Sequence, residues 1–128
     1  MLDINNSIIN LNLPLEYKKF IFALTYKISQ EQAIERIYLF GSATKRINAA
    51  SDVDLAVVVN DNVPVNRNYR LRIIDRIENT LDEEGLSNIP YDIVFFNDSD
   101  FERNRSVSVS VAKDIAREGD LLYERQLL

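Results

Sequence analysis

The chain contains no cysteine, which excludes disulfides, a thiol nucleophile and thiolate zinc sites. It contains no histidine either, and so lacks the commonest general base and the imidazole metal ligand. Catalysis would therefore fall mostly to carboxylate, hydroxyl and ammonium groups, and a metal held by hard oxygen ligands alone would be Mg2+, Mn2+ or Ca2+. With only three glycines and three prolines beside a hydrophobic share of 46%, the composition is that of a globular chain rather than a disordered one. No apolar run approaches the roughly 18 residues needed to span a bilayer. Residues 1–13 lack the basic flank and long apolar core of a secretory signal, so a cytoplasmic location is expected.

At 128 residues the whole chain is expected to form one domain, large enough to bury roughly two-thirds of its unfolded surface. A net charge of -5 disfavours diffuse binding to nucleic acid or anionic membrane, which depends on cations neutralising phosphates. Arg67, Arg70, Arg72 and Arg76 nevertheless cluster in one short window. A solvated helix face explains them more simply than an anion- or partner-binding surface. No internal repeat, low-complexity tract or linker is present.

Tyr17, Phe20, Ile21, Leu24 and Ile28 fall at helical spacing after Pro14, which predicts a helix over residues 14–33. Ile37-Tyr38-Leu39-Phe40, stopped by Gly41, reads as a buried strand. Residues 52–59 begin with alternation and become wholly apolar at Ala56-Val57-Val58-Val59, the pattern of a central strand. Leu71, Ile74, Ile77 and Leu81 form the stripe of a further helix with Gly85 as its stop. Residues 91–96 are a third strand. Ser99 and Glu102 make a capping-box pair opening a last helix that continues through Ala112, Ile115 and Ala116. Ser106-Val107-Ser108-Val109-Ser110-Val111 alternates with period two, a competing strand signal. Leu121-Leu122-Tyr123 is a candidate edge strand.

On a strand, residues two apart share a face, so Asp52 and Asp54 point together while Val53 and Leu55 enter the core. If the strand carrying Asp92 lies beside it, three carboxylates converge. Two unit charges about 5 Å apart repel by roughly 3 kcal/mol at an effective dielectric near 20, and three such pairs by on the order of 9 kcal/mol. Such a group stays partly protonated or gathers a divalent cation. Taken alone, Asp52 and Asp54 could simply cap a turn with Ser51. Asp92, flanked by Tyr91, Ile93, Val94, Phe95 and Phe96, is expected to be buried and so to need a metal or a partner such as Arg76. Gly41 after a strand permits a sharp turn and close approach of a phosphate to peptide N–H groups. The Ser42 hydroxyl can donate to a phosphate oxygen, and Lys45 or Arg46 can neutralise one.

These residues resemble the nucleotidyltransferase superfamily of the DNA polymerase β type. Its pattern is a strand ending in Gly-Ser, a D-x-D about ten residues on, and a third acid on a later strand, here Gly41, Ser42, Asp52, Asp54 and Asp92. The ending Ala116-Arg117-Glu118-Gly119-Asp120-Leu121-Leu122-Tyr123-Glu124 is similar to the tail of the minimal nucleotidyltransferases (MNT), antitoxins often encoded beside a HEPN-domain ribonuclease toxin. Two departures lie where a triphosphate would bind. The spacer between Ser42 and Asp52 is nine residues, and residues 43–47 lack both the basic residue directly after Gly-Ser and the later glycine.

The resemblance implies an α+β nucleotidyltransferase fold, a small mixed β-sheet packed against helices on one face. It also implies Asp52, Asp54 and Asp92 as catalytic residues and ligands of two Mg2+ ions, with Gly41, Ser42 and Lys45 binding the nucleotide. The implied activity is AMP transfer from ATP to a hydroxyl, a tyrosine, of a partner HEPN-type toxin. A binding-only antitoxin and a small-molecule (antibiotic) adenylyltransferase are the alternatives.

Overall fold

The strand that organises the molecule is the one the sequence marks as most apolar. Val53, Leu55, Val57 and Val59 face one side of it, Ala56 and Val58 the other, and all six are buried. A strand covered on both faces belongs in the middle of a sheet, and there it lies. In the computed structural model, residues 4–41, 52–86, 88–105 and 111–125 are described. They form α1 (Ile4–Ile9), α2 (Leu15–Ser29), β1 (Ile34–Phe40), β2 (Val53–Val59), α3 (Arg67–Glu84), β3 (Tyr91–Asn97), α4 (Asp98–Asn104), α5 (Val111–Glu118) and β4 (Asp120–Glu124). The sheet order is β3-β2-β1-β4. β1 runs antiparallel to β2 and β4, while β2 and β3 are parallel, joined by the α3 crossover. The sheet is therefore mixed and the class α+β, as expected.

The helices are not confined to one face, and this corrects the sequence-based expectation. Ile37, Leu39, Leu55 and Val57 pack against Phe20, Leu24 and Ile28 of α2 and Ile73, Ile77 and Leu81 of α3. On the opposite face Tyr38, Ala56 and Val58 pack against Phe101 of α4 and Ala112 and Ile115 of α5. Arg36 fastens this second layer. Its side chain is only 14% exposed, pairs with Asp98 at 2.6 Å and Glu102 at 2.9 Å, and lies over the Phe101 ring at 5.3 Å.

α2 stops at Ser29, four residues before the expected end, because residues 30–33 turn the chain into β1. That turn places Glu31, 12% exposed, against Arg72 and Arg76 of α3. Two of the four clustered arginines thus tie α3 to the turn that follows α2. α3 is opened by Asn66, whose side chain accepts from the Tyr69 N–H at 2.9 Å. Its end is set by Gly85 at φ 68, the left-handed cap that glycine tolerates best. The buried stripe of α3 is Tyr69, Ile73, Ile77 and Leu81. Leu71, expected inside, is 51% exposed, because the buried face repeats strictly every four residues from Tyr69.

The expected last helix is two helices, and residues 106–110, which carry the serine–valine alternation, lie outside the described residues. The capping box is not formed. The Ser99 N–H donates to Asp61 at 2.9 Å and Glu102 is drawn to Arg36, so tertiary partners outbid the local ones. The edge strand at Leu121-Leu122-Tyr123 is present as β4, paired with β1. Among the described residues no helix is long and apolar enough to cross a membrane.

Candidate functional site

β1 ends where β2 begins, since Phe40 pairs across the ladder with Asp54. The next residue, Gly41, has φ 78, a conformation that side chains rarely tolerate. A Cβ placed on Gly41 would collide with Asp54 Oδ2. Glycine is therefore required twice over at this position, for the turn and for the space the carboxylate occupies.

Asp54 shares its face of β2 with Ala56 and Val58, whereas Val53 and Leu55 are buried on the other face. Asp52 immediately precedes the strand and is exposed. In the parallel ladder Asp54 is paired in register with Asp92 at the start of β3. Neighbouring strands are about 4.8 Å apart, so the two acids stand side by side at one end of the sheet. Burial pushes the Asp54 carboxyl above the ordinary carboxylate range, and the negative charges of Asp52 and Asp92 add to the rise. The structure thus brings Gly41, Asp52, Asp54 and Asp92 to one place.

Asp92 differs from expectation in its surroundings. It is exposed, not buried, because β3 is an edge strand of the described sheet and each of its other residues is only half-covered. Its carboxylate accepts a hydrogen bond from the Ile93 N–H at 3.0 Å, and Arg76 pairs with Glu31 instead. Ser42, Lys45, Arg46 and Ser51 lie outside the described residues.

Among the described residues no group of three or more acids lies in an arrangement that would hold a metal ion as it stands. The donor chemistry still fits a hard divalent cation. Carboxylate oxygens are the available ligands, and the charge crowding that raises the Asp54 pKa is what a cation would relieve. Sequence reasoning gave no weight to Asp120, which β4 brings opposite Leu39 of β1 and whose carboxyl is also raised by burial. Its register with Leu39 sets it on the α2 side of the sheet, away from Asp54. It therefore does not join the acid group.

A family model described as Polymerase beta, Nucleotidyltransferase matches residues 23–127, and the chain belongs to this nucleotidyltransferase family. Solved structures agree with that assignment at the level of fold. A protein of Sulfolobus solfataricus assigned as a nucleotidyltransferase aligns with a TM-score of 0.51 at 17% identity, covering 95% of this chain and 87% of its own. A mutant of the toxin–antitoxin pair MntA-HpeT aligns with a TM-score of 0.52 at 22% identity, covering 88% of this chain and 76% of the matched one. No match was found among curated proteins.

Proposed function

We propose that the chain is a Mg2+-dependent nucleotidyltransferase that moves AMP from ATP to a tyrosine hydroxyl of a partner HEPN-type toxin and thereby acts as its antitoxin. The observation that carries this reading is the register of Asp54 with Asp92 beside a glycine that leaves room for nothing but the Asp54 carboxylate. The structural likeness to a toxin–antitoxin protein motivates the choice of acceptor.

The turn at Gly41 would let the terminal phosphates approach backbone N–H groups, with Ser42 donating to one of their oxygens and Lys45 neutralising charge. Asp52, Asp54 and Asp92 would hold Mg2+, which supplies positive charge against the phosphates and acidifies the attacking hydroxyl. The hydroxyl oxygen forms a bond to the α-phosphorus. The bond from that phosphorus to its bridging oxygen breaks, and pyrophosphate leaves with the electron pair. Asp92, exposed at the strand start, accepts the hydroxyl proton. Holding the leaving group in line with the attacking oxygen is the main task of the glycine turn.

The test is to incubate the chain with ATP labelled at the α-phosphate, Mg2+ and the product of the neighbouring gene. Label is expected on a tyrosine of that protein and is expected to disappear with Asp52→Asn or Asp54→Asn. Absence of label with ATP and with every other nucleoside triphosphate refutes transfer.

A second reading, neutralisation by binding alone, is favoured by the exposed Asp92 carboxylate bonded to its own strand. Under it the Asp52→Asn/Asp54→Asn protein still protects cells from the toxin. Under the first reading protection fails.

A further inference from the structure

The outer surface of the helical layer carries an apolar groove that the acid site does not use. It is lined by α1, α2 and the C-terminal end of α3. Ile9, Leu15, Phe22 and Tyr26 are all exposed there, Leu15 at 66% and Tyr26 at 52%. Phe22 and Tyr26 stack on each other with ring centroids 5.8 Å apart, so the aromatic surface is preformed. Large side chains grouped in this way mark a contact surface rather than scattered surface apolarity.

The charges of the groove say what covers it. Beside Lys18, whose ammonium donates to the Ile9 carbonyl at 2.7 Å, four further charges line it: Lys19 and Lys27 from α2, and Glu83 and Glu84 from the end of α3. Among the described residues none of these four has an ion-pair partner. An acidic partner would suit the lysines and be repelled by the glutamates, and a basic partner would meet the reverse. A surface with one edge of each sign is matched by another copy of itself turned through a two-fold axis. That rotation sets Lys19 and Lys27 of one protomer against Glu83 and Glu84 of the other, twice, with the apolar side chains between them. A net charge of -5 per chain would oppose association anywhere that lacked such local matching.

We propose that this groove is the interface of a two-fold symmetric homodimer, leaving the acid-bearing end of each β2–β3 pair outside the contact. The inference does not depend on the nucleotidyltransfer reading, and its deciding measurement, the mass of the chain in solution, uses no nucleotide.

Light scattering on the full chain at about 100 µM, a concentration that populates even weak dimers, is expected to give twice the 14.8 kDa chain mass. Phe22→Glu, at an exposed position, is expected to give the monomer mass with unchanged circular dichroism. Lys19→Glu with Lys27→Glu should also dissociate the dimer, as should Glu83→Lys with Glu84→Lys. Combining all four restores the pairing with signs reversed and should restore the dimer mass. A folded wild-type monomer at that concentration overturns the proposal, as does a folded four-fold variant that stays monomeric. A wild-type monomer whose Phe22→Glu variant loses toxin binding would assign the groove to the toxin and overturn it equally. Failure of AMP transfer leaves these outcomes untouched.

Discussion

Replacing Asp54 by asparagine isolates the electrostatic tension of the acid group, because the side chain changes charge without changing shape. Among the described residues no hydrogen bond holds the Asp54 carboxylate, so its replacement gives up little. Asp54 stands in register with Asp92 and two residues from Asp52, and both raise its pKa after burial does. Two unit charges about 5 Å apart repel by roughly 3 kcal/mol at an effective dielectric near 20. Since Asp52 and Asp92 are exposed, solvent screening reduces each term to about 0.5–1 kcal/mol. The Asn variant should therefore gain about 1–2 kcal/mol without metal at neutral pH, a rise in Tm of roughly 3–10 °C for a domain of this size.

The sign follows from linkage. A carboxyl whose folded-state pKa is raised costs stability while it is ionised. That cost fades as pH falls through the folded value and is gone below the ordinary 3.8. The advantage of Asp54→Asn should accordingly be largest at neutral pH and vanish in acid. Melting by differential scanning fluorimetry across pH, with and without Mg2+, reads both effects. Mg2+ should raise the wild-type Tm by mass action and leave the variant nearly unmoved. An Asn variant less stable than wild type at neutral pH, or a gain that persists below the carboxylate range, would refute the crowded-acid account.

Gly41→Ala should destabilise the fold by about 1–3 kcal/mol through its left-handed backbone, with a further clash against Asp54 Oδ2. Urea titration should show the clash component shrinking in an Asp54→Ala background, and equal costs in both backgrounds would contradict direct contact. Arg36→Ala leaves Asp98 and Glu102 without their cation and uncovers Phe101, so a loss of about 2–4 kcal/mol is expected in the same assay. Partial burial pushes the Glu102 carboxyl up, but hydrogen bonding and charge from Arg36 and Arg105 outweigh it and set the pKa below the ordinary value. Its stabilising contribution should be present above the ordinary carboxylate pKa and lost as pH falls through the lowered one, so stability profiles of wild type and Glu102→Gln should converge in acid. Glu31→Gln removes the anion shared by Arg72 and Arg76 and should cost about 1–2 kcal/mol. An unchanged urea midpoint would show that the turn after α2 holds α3 by packing alone.

Local pattern was sufficient wherever one residue type dictated one conformation. The valine-rich run of β2 leaves no choice but a central strand, Gly41 must end β1, and the D-x-D spacing sets Asp52 just ahead of the strand that carries Asp54. α2 was legible from its helical spacing, though its end was not, because the turn that stops it is stabilised by Arg72 and Arg76 arriving from a distant helix. The stripe of α3 was read from its leucine and isoleucines, but Tyr69 occupies the first buried position and displaces Leu71 to the surface.

What the chain order could not decide was which neighbour each element would meet. Asp92 lies in a run apolar enough to look buried, yet an edge strand and a central strand share that pattern when edge residues are half-covered. The pairing with Asp54 and the exposure of Asp92 follow from the parallel crossover, not from either strand alone. Ser99 and Glu102 form a capping pair on paper, but stronger charged partners, Asp61 and Arg36, reach them first in three dimensions. Residue chemistry therefore set which acids exist and which way they point. Only the packing of β3 beside β2, driven by burial of α3 across them, set how close they come.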